Sequence, residues 1–335
     1  MQPEELGKPF NPGVQVNRVR FSPDGKVLAA AAFDGTVKRW DVTGKEPAEL
    51  PALKGHDGWV TAIAFQGKRL VSADSWGRVI AWDGMKTLFD VQNAHNGWVR
   101  AIVTSAERVV SCGRGGLVCS WHSEGKRTVE AETKSDLLSL AMSPDGKAIV
   151  AGDGFGRIHA LNAVTLKEER QFEVKELHLL DRIQDVGGVK CLAFNADGSR
   201  LFVGGAVPKS GGFVQATPLV VELEWPTGKR VSQWKGASDN EGYVHDMLWH
   251  PDGFLVGATS GQPGQGKMIF WKPGEAAAFA AVTKYPNCHS VDRNPADGRL
   301  ALASTNANSS GNGRVKSKDG EYTGNSSPIQ LFEMK

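Results

Sequence analysis

Cysteine is scarce: Cys112, Cys119, Cys191 and Cys288 are the only four in 335 residues. That is too few for a disulfide-stapled scaffold, so the expectation is reduced, partly buried thiols. An excess of charge of one sign is lacking too. The 39 Lys and Arg nearly balance 37 Asp and Glu, for a formal charge of +2. This excludes a strongly basic nucleic-acid wrapper and an acidic tail protein. No apolar run approaches the roughly 18 residues of a membrane-spanning helix. The opening MQPEELGKPFNPG has no basic stretch followed by an apolar one, so nothing reads as a secretory signal, and a cytoplasmic address is expected. Long amphipathic helical periodicity is also missing; only ELHLLDRIQD (176–185) suggests one short helical turn. What abounds is glycine, 40 residues, with 16 prolines. Such punctuation belongs to many short strands joined by tight turns.

A repeat runs through the whole chain. VNRVRFSPDGKVLAAAAFDGTVKRWD starts at Val16, and GHDGWVTAIAFQGKRLVSADSWGRVIAWD at Gly55. Further copies begin near 94, 134, 187, 241 and 287, which makes seven. Phe21, Phe65, Thr104, Met142, Phe194, Trp249 and Arg293 fill one column, at spacings of 44, 39, 38, 52, 55 and 44. The base unit is therefore about forty residues, the period of propeller blades. Each copy carries a short apolar strand and then a turn of the SPDGK type. In that turn Pro presets the backbone, Asp caps it and Gly takes the left-handed position. A second strand, a second tight turn such as FDGT, and a third strand follow, with a weaker fourth strand in the connector.

These units resemble the blades of WD-repeat β-propellers. Gly55-His56 opens a copy as the family's Gly-His does, with Ala94-His95 close to it. Trp40-Asp41 and Trp82-Asp83 close copies as its Trp-Asp does, and Trp121, Leu161, Trp271 and Phe332 hold the same slot. The resemblance covers nearly the whole chain, and the SPDGK-rich copies look most like bacterial members. It implies an all-β fold: one seven-bladed propeller of four-stranded antiparallel blades, spanning 1–335. The ring would be closed by the N-terminal strand (Glu5 to Phe10) pairing with the C-terminal one (Pro328 to Glu333). The family often links a His, a Ser, an Asp and the Trp within a blade. Copy two offers His56, Ser72 and Trp82 with Trp76 at the expected Asp, copy three has Gly115 there and copy four Phe155; only Asp34 in copy one matches.

Insertions near 206–217, 261–267 and 306–327 lengthen the second hairpin of three consecutive copies. In the family this hairpin points to the narrower face, so the insertions are expected to raise a lip there. The last one adds Lys316, Lys318 and Tyr322, as a lid, a docking loop or simply a solvated loop. Trp59 and Trp98 share one slot at the start of the first strand, and Tyr243 fills it in copy six. Trp76, Phe33 and Phe155 sit at second-hairpin turns on the same face. Exposed aromatic residues of this kind compose binding hot spots; packed between connectors, they would be structural instead. Arg18, Arg100, Arg114 and Lys190 lie close by in the pattern, and Arg100 and Arg114 would steer an acidic partner.

Nothing in the chain resembles a nucleophile elbow or a phosphate-binding glycine loop. The eight histidines and four cysteines show no metal-ligand spacing, although Cys112 and Cys119 flank one hairpin and could approach each other. No catalytic, cofactor or metal residues are expected, and neither nucleic acid nor membrane is an expected partner. The reading is a non-catalytic interaction scaffold within a larger complex. It would bind a protein or peptide on the narrow face through Trp59, Trp76, Trp98, Tyr243, Arg100, Arg114, Phe33 and Phe155. The alternative is an enzyme or small-ligand binder using the channel mouth, where Asp57, Asp136, His245, Asp246 and Asp292 lie near first-strand starts.

Overall fold

The SPDGK turns close their hairpins with their own side chains. Ser22 Oγ donates to Asp24 Oδ1 (2.6 Å) and accepts the Val27 N–H (2.9 Å). Ser143, Asp145 and Ala148 repeat the arrangement. Gly25 and Gly146 sit at φ of +71° and +70°, where a side chain would be strained. With these turns the chain folds, in a computed structural model, into seven four-stranded antiparallel blades. The structure describes all residues except 123, 211–214, 263, 306–313 and 317–321.

Blade 1 is Val16–Phe21, Val27–Ala32, Thr36–Asp41 and Ala48–Lys54. Blades 2, 3 and 4 begin with Val60–Gln66, Val99–Thr104 and Leu137–Met142, and blades 5 and 6 with Cys191–Phe194 and Tyr243–His250. Blade 7 joins Cys288–Arg293, Leu300–Ser304 and Ile329–Met334 to Pro3–Phe10, so both chain ends build one sheet, as expected from sequence. The first strands stand side by side in chain order, and the seventh adjoins the first. They surround a central channel.

Seven apolar clusters hold the ring, one between each pair of neighbouring blades. Between blades 1 and 2, for example, Ala29, Ala31 and Leu53 meet Val60, Ile63, Leu70 and Trp82, all buried. Each such buried aliphatic side chain contributes about 1.5–3 kcal/mol. A single hydrogen bond contributes about 1 kcal/mol net, so packing between blades stabilises the ring more than the polar links within them.

One irregularity recurs. Near the start of the first strand the register shifts in six blades, at Val16/Arg18, Val60/Ala62, Val99/Ala101, Leu137/Ser139, Val244/Asp246 and Cys288/Ser290. The residues that bulge out are Asn17, Thr61, Arg100, Leu138, His245 and His289. Lys190 holds the matching place in blade 5, one residue before the Cys191–Gly204 pair. A bulge re-aims its side chain out of the ladder, and Arg100, Leu138 and Lys190 of this set line the channel.

Second hairpins and connectors share a face, called here the upper face. His95 N–H bonds Gly77 O, Val174 N–H bonds Gly156 O, and Asn287 N–H bonds Gln265 O, each joining a connector to the hairpin of the blade before it. The insertion at 206–217 partly prolongs strands Arg200–Pro208 and Ala216–Glu224. That at 306–327 contains a small pair, Arg314–Lys316 with Tyr322–Gly324, while Lys318 lies outside the described residues. The segment expected to make a short helical turn does so only at Lys175–Leu177. It then forms the hairpin His178–Asp181 with Gln184–Gly187, because Arg182 takes a left-handed φ of +59° and reverses the chain.

Candidate functional site

Three aromatic rings form a row across blades 1 to 3 on the upper face. Phe33 stacks on Trp59 at 4.9 Å, and Trp59 meets Trp98 edge-on at 5.7 Å. Trp76 borders the same shallow depression of about 500 Å³, with Asp34 and Asp57 on its rim. Trp76 lies so close over Gly58 that a Cβ there would strike its indole and Ser75 Oγ. Ser75 Oγ in turn accepts the Trp59 N–H at 3.1 Å. The row is open to solvent: Trp59 is 46% and Trp76 72% exposed. Four large apolar side chains are thus gathered without being covered, and each ring is held in place by a neighbour.

The basic residues expected nearby divide. Arg100 places its guanidinium over Trp98, 4.2 Å from the ring centroid. Arg114 passes over Gly97, and its N–H bonds Trp98 O (2.9 Å). Tyr243 stands across the channel mouth, with Lys190 Nζ 5.3 Å from its ring and His245 beside it. Phe155 is apart from this group: it pairs with His178 at 5.1 Å and with Arg157.

Below the mouth the channel is tightly charged. Arg20 Nη1 and Nη2 donate to Asp246 Oδ2 and Oδ1 at 2.9 and 3.2 Å. Asp246 Oδ2 also accepts from Ser290 Oγ (2.7 Å) and Val291 N–H (3.2 Å). Burial pushes the Asp246 carboxyl up, but Arg20 and Arg18 outweigh it and hold it at about 2. Asp292 shares the same Arg20 yet accepts the Phe21 N–H (2.7 Å) and fewer donors, so burial dominates and pushes it up to about 6. Its ordinary value is near 3.8. The native state therefore binds Asp292's proton more tightly than the unfolded chain, and stability falls as pH rises from about 4 through about 6. Asp292→Asn is expected to add about 1–2 kcal/mol at pH 7 and nothing at or below about pH 4, read by urea unfolding at both pH values. Equal effects at the two would contradict this assignment.

Of the carboxylates considered for the mouth, Asp57 instead pairs with Arg78 on the rim (2.8 Å). Asp136 caps the Gly115 N–H (2.8 Å). Among the described residues no three His, Cys, Asp or Glu side chains converge as metal ligands would. All four cysteines are free and buried, more deeply than the sequence suggested. Cys112 and Cys119 do not approach each other. Paired strands turn them to opposite faces of blade 3, one packing toward blade 4 and the other toward blade 2. Among the described residues no helix is long and apolar enough to cross a membrane.

Blade 2 holds a full polar link that the sequence reading placed wrongly. Trp82 Nε1 donates to Ser72 Oγ (2.8 Å), His56 Nε2 meets the same oxygen (2.7 Å), and His56 Nδ1 meets Asp74 Oδ2 (2.9 Å). The acid is Asp74, at the end of the second strand, and not a residue of the following turn. Asp34, taken as the one match, instead binds Thr36 and Lys38 in its own turn. Blade 3 keeps Trp121, Ser111 and His95 but has Gly113 opposite Val99, where blade 2 has Asp74 opposite Val60. His95 Nδ1 is accordingly left buried without a partner.

The family model described as "WD domain, G-beta repeat" matches residues 10–41 and 48–83, the segments that build blade 1 and blade 2. Two WD repeats are thus matched in the chain, and its seven four-stranded blades form a β-propeller. Similar proteins include a WD repeat-containing protein of Synechocystis, 40% identical over 58 residues, 17% of this chain and 17% of that one. The Target of rapamycin complex subunit wat1 of Schizosaccharomyces pombe is 42% identical over 71 residues, 21% of this chain and 22% of that one. The Protein SEC13 homolog of Dictyostelium discoideum is 38% identical over 71 residues, 20% and 24% of the two chains. Each match spans less than a quarter of the relative's own length.

The propeller also carries a feature absent from the sequence reading. The hairpin between blades 4 and 5 exposes Leu180 (61%) and Ile183 (92%) at its tip. Ser210 Oγ of the blade 5 insertion donates to Asp181 Oδ1 (2.8 Å) and braces it. The signal was present in Asp181-Arg182 and the glycines at 187 and 188, a turn and stop pattern that outweighs the apolar spacing.

Proposed function

We propose that this WD-repeat propeller is an interaction scaffold that receives a protein or peptide partner on its upper face, the narrower face in the family. The observation that carries the reading is the uncovered row Phe33, Trp59 and Trp98 with Trp76 beside it. Aromatic anchors held in fixed orientations lose little freedom on binding, so their apolar area is used efficiently. Arg100 and Arg114 flank the row and favour acidic residues in the partner. The name of one relative, a subunit of the Target of rapamycin complex, supports a place in a larger assembly. The SPDGK turns and the cyanobacterial match support a bacterial-type member.

Affinity capture from lysate, with partners identified by mass spectrometry, tests this. Trp59→Ala with Trp98→Ala is expected to weaken the captured partner's binding at least about thirty-fold, with a melting temperature within a few degrees of wild type. Capture of the same partner at unchanged affinity would overturn the reading.

A further inference from the structure

The channel separates its charges into two layers. In the lower layer Arg20 is neutralised, held by both oxygens of Asp246 with Asp292 adjacent. The upper layer is not. Arg18 Nη1 donates to the carbonyls of His245 (2.9 Å) and His289 (3.2 Å) and reaches the already shared Asp246 only at 3.5 Å. Arg100, at a bulge, and Lys190, at the matching place in blade 5, form no ion pair among the described residues. Their close contacts are the faces of Trp98 and Tyr243. These three cations border one cavity of about 100 Å³, with the Arg20–Asp246 pair at its floor and Leu138 and Cys191 on its wall. That is several times the room one water needs.

Lys190 is partly removed from water beside Arg100, which stays exposed at the mouth, and the two like charges repel each other. Burial and the nearby Arg100 push the Lys190 ammonium down to about 8. Burial, with the charges of Lys190 and Arg18, pushes His245 down to about 3, so it stands neutral at the mouth, bonded to the Ser260 backbone. The same chain that pairs Arg20 with a carboxylate gives Arg100 and Lys190 no ion pair among the described residues; the carboxylate acting on Arg100, Asp136, bonds the Gly115 N–H instead.

From this arrangement we infer that the channel mouth is a binding site for a tetrahedral oxyanion of the phosphate class, held by Arg100, Lys190 and Arg18. A guanidinium offers two parallel donors to such an anion and an ammonium offers a point charge. A doubly charged oxyanion would balance Arg100 and Lys190. The cavity admits the head group alone, so the anion enters either as a free ion or as the end of a phosphomonoester. The cavity adjoins the aromatic depression through Arg100, which lies over Trp98, but anion binding in it does not require a protein partner.

Isothermal titration of the full chain with inorganic phosphate, and in parallel with O-phosphoserine, tests this. Both Arg100→Met and Lys190→Met are expected to weaken phosphate at least about tenfold. Lys190→Arg is expected to keep most of the affinity, and Lys147→Met on the opposite face all of it. Equal affinity for the two probes assigns the site to the free ion, and tighter phosphoserine binding to a phosphorylated ligand. With sulfate as probe, whose charge is constant, binding is expected to weaken as pH rises from about 7 to about 9.5. Over that range Lys190 loses its proton, arginine side chains do not titrate, His245 stays neutral and Tyr243, raised by burial, stays un-ionised. A folding control is built in: without anion, Lys190→Met is expected to melt no lower than wild type. No phosphate binding by the wild type, or binding that Arg100→Met and Lys190→Met leave unchanged, would overturn the inference.

Discussion

Deleting residues 1–12 is expected to lower the melting temperature by on the order of 10 °C. Pro3–Phe10 is the outer strand of blade 7 and pairs with Ile329–Met334 from Pro3–Met334 to Phe10–Ile329. Leu6 and Phe10 pack on the cluster between blades 7 and 1, and Phe10 meets Trp40 edge-on at 5.1 Å. Gln330 Nε2 donates to Leu6 O (3.0 Å), while its Oε1 accepts from Tyr285 (3.1 Å). Deletion removes the strand's ladder and its apolar contacts, and it bares a sheet edge that invites association. The loss falls at the one place where the ring is joined by strands remote in sequence, so it is also expected to bring aggregation on heating. Differential scanning fluorimetry with light scattering reads both. An unchanged melting temperature would mean that the ring holds without this strand.

Asp246→Ala is expected to destabilise by about 3–5 kcal/mol, the cost of leaving a buried cation alone. Arg20, Ser290 Oγ and Val291 N–H all lose their acceptor at once. Arg20→Met combined with Asp246→Leu is expected to lie closer to wild type than Asp246→Ala, because it removes both charges together. The contribution of Asp246 follows from its lowered value: it is present above about pH 4 and lost as pH falls through about 2. Chemical denaturation of the three proteins at pH 7 reads the energies. If Asp246→Ala costs less than about 1 kcal/mol, the pair behaves as a solvated surface bridge, and the two-layer account of the channel fails. Lys190→Met should move the other way, since it removes a charge that has no partner. Its drop from 10.5 to about 8 sets an upper bound of about 3 kcal/mol on the gain.

The fold was legible because every blade needs the same local chemistry. Turn residues such as Ser22 and Asp24 bond within five positions of themselves, and such short-range signals survive in sequence. The seven copies therefore marked seven blades, and PIQLFE with ELGKPF marked the closure. The aromatic slots were legible for the same reason: Trp59 and Trp98 precede equivalent strands and do meet. What escaped was anything that depends on register. A single bulged residue shifts every later side chain to the other face of the strand. The sequence placed Arg100 and Lys190 near the mouth without showing that they face each other across it. Asp74 was missed because the acid was sought in the following turn, at Trp76, and not at the end of the second strand, where it meets His56. Phe155 was grouped with Phe33 by slot alone, but the ring separates them by several blades, and its neighbour is the hairpin residue His178. Leu180 and Ile183 lie in the segment 176–185 that was read as one short helical turn. Only the left-handed Arg182 makes them an exposed tip.

The central claim is that recognition uses the upper face between blades 1 and 3. Hydrogen–deuterium exchange of the propeller, free and bound to its captured partner, tests it most directly. The account predicts protection on binding at residues 33–35, 57–59, 75–77 and 96–100, with no change at the opposite turns 22–26 and 143–147. Protection confined to those opposite turns, or absent from the aromatic segments, would contradict it.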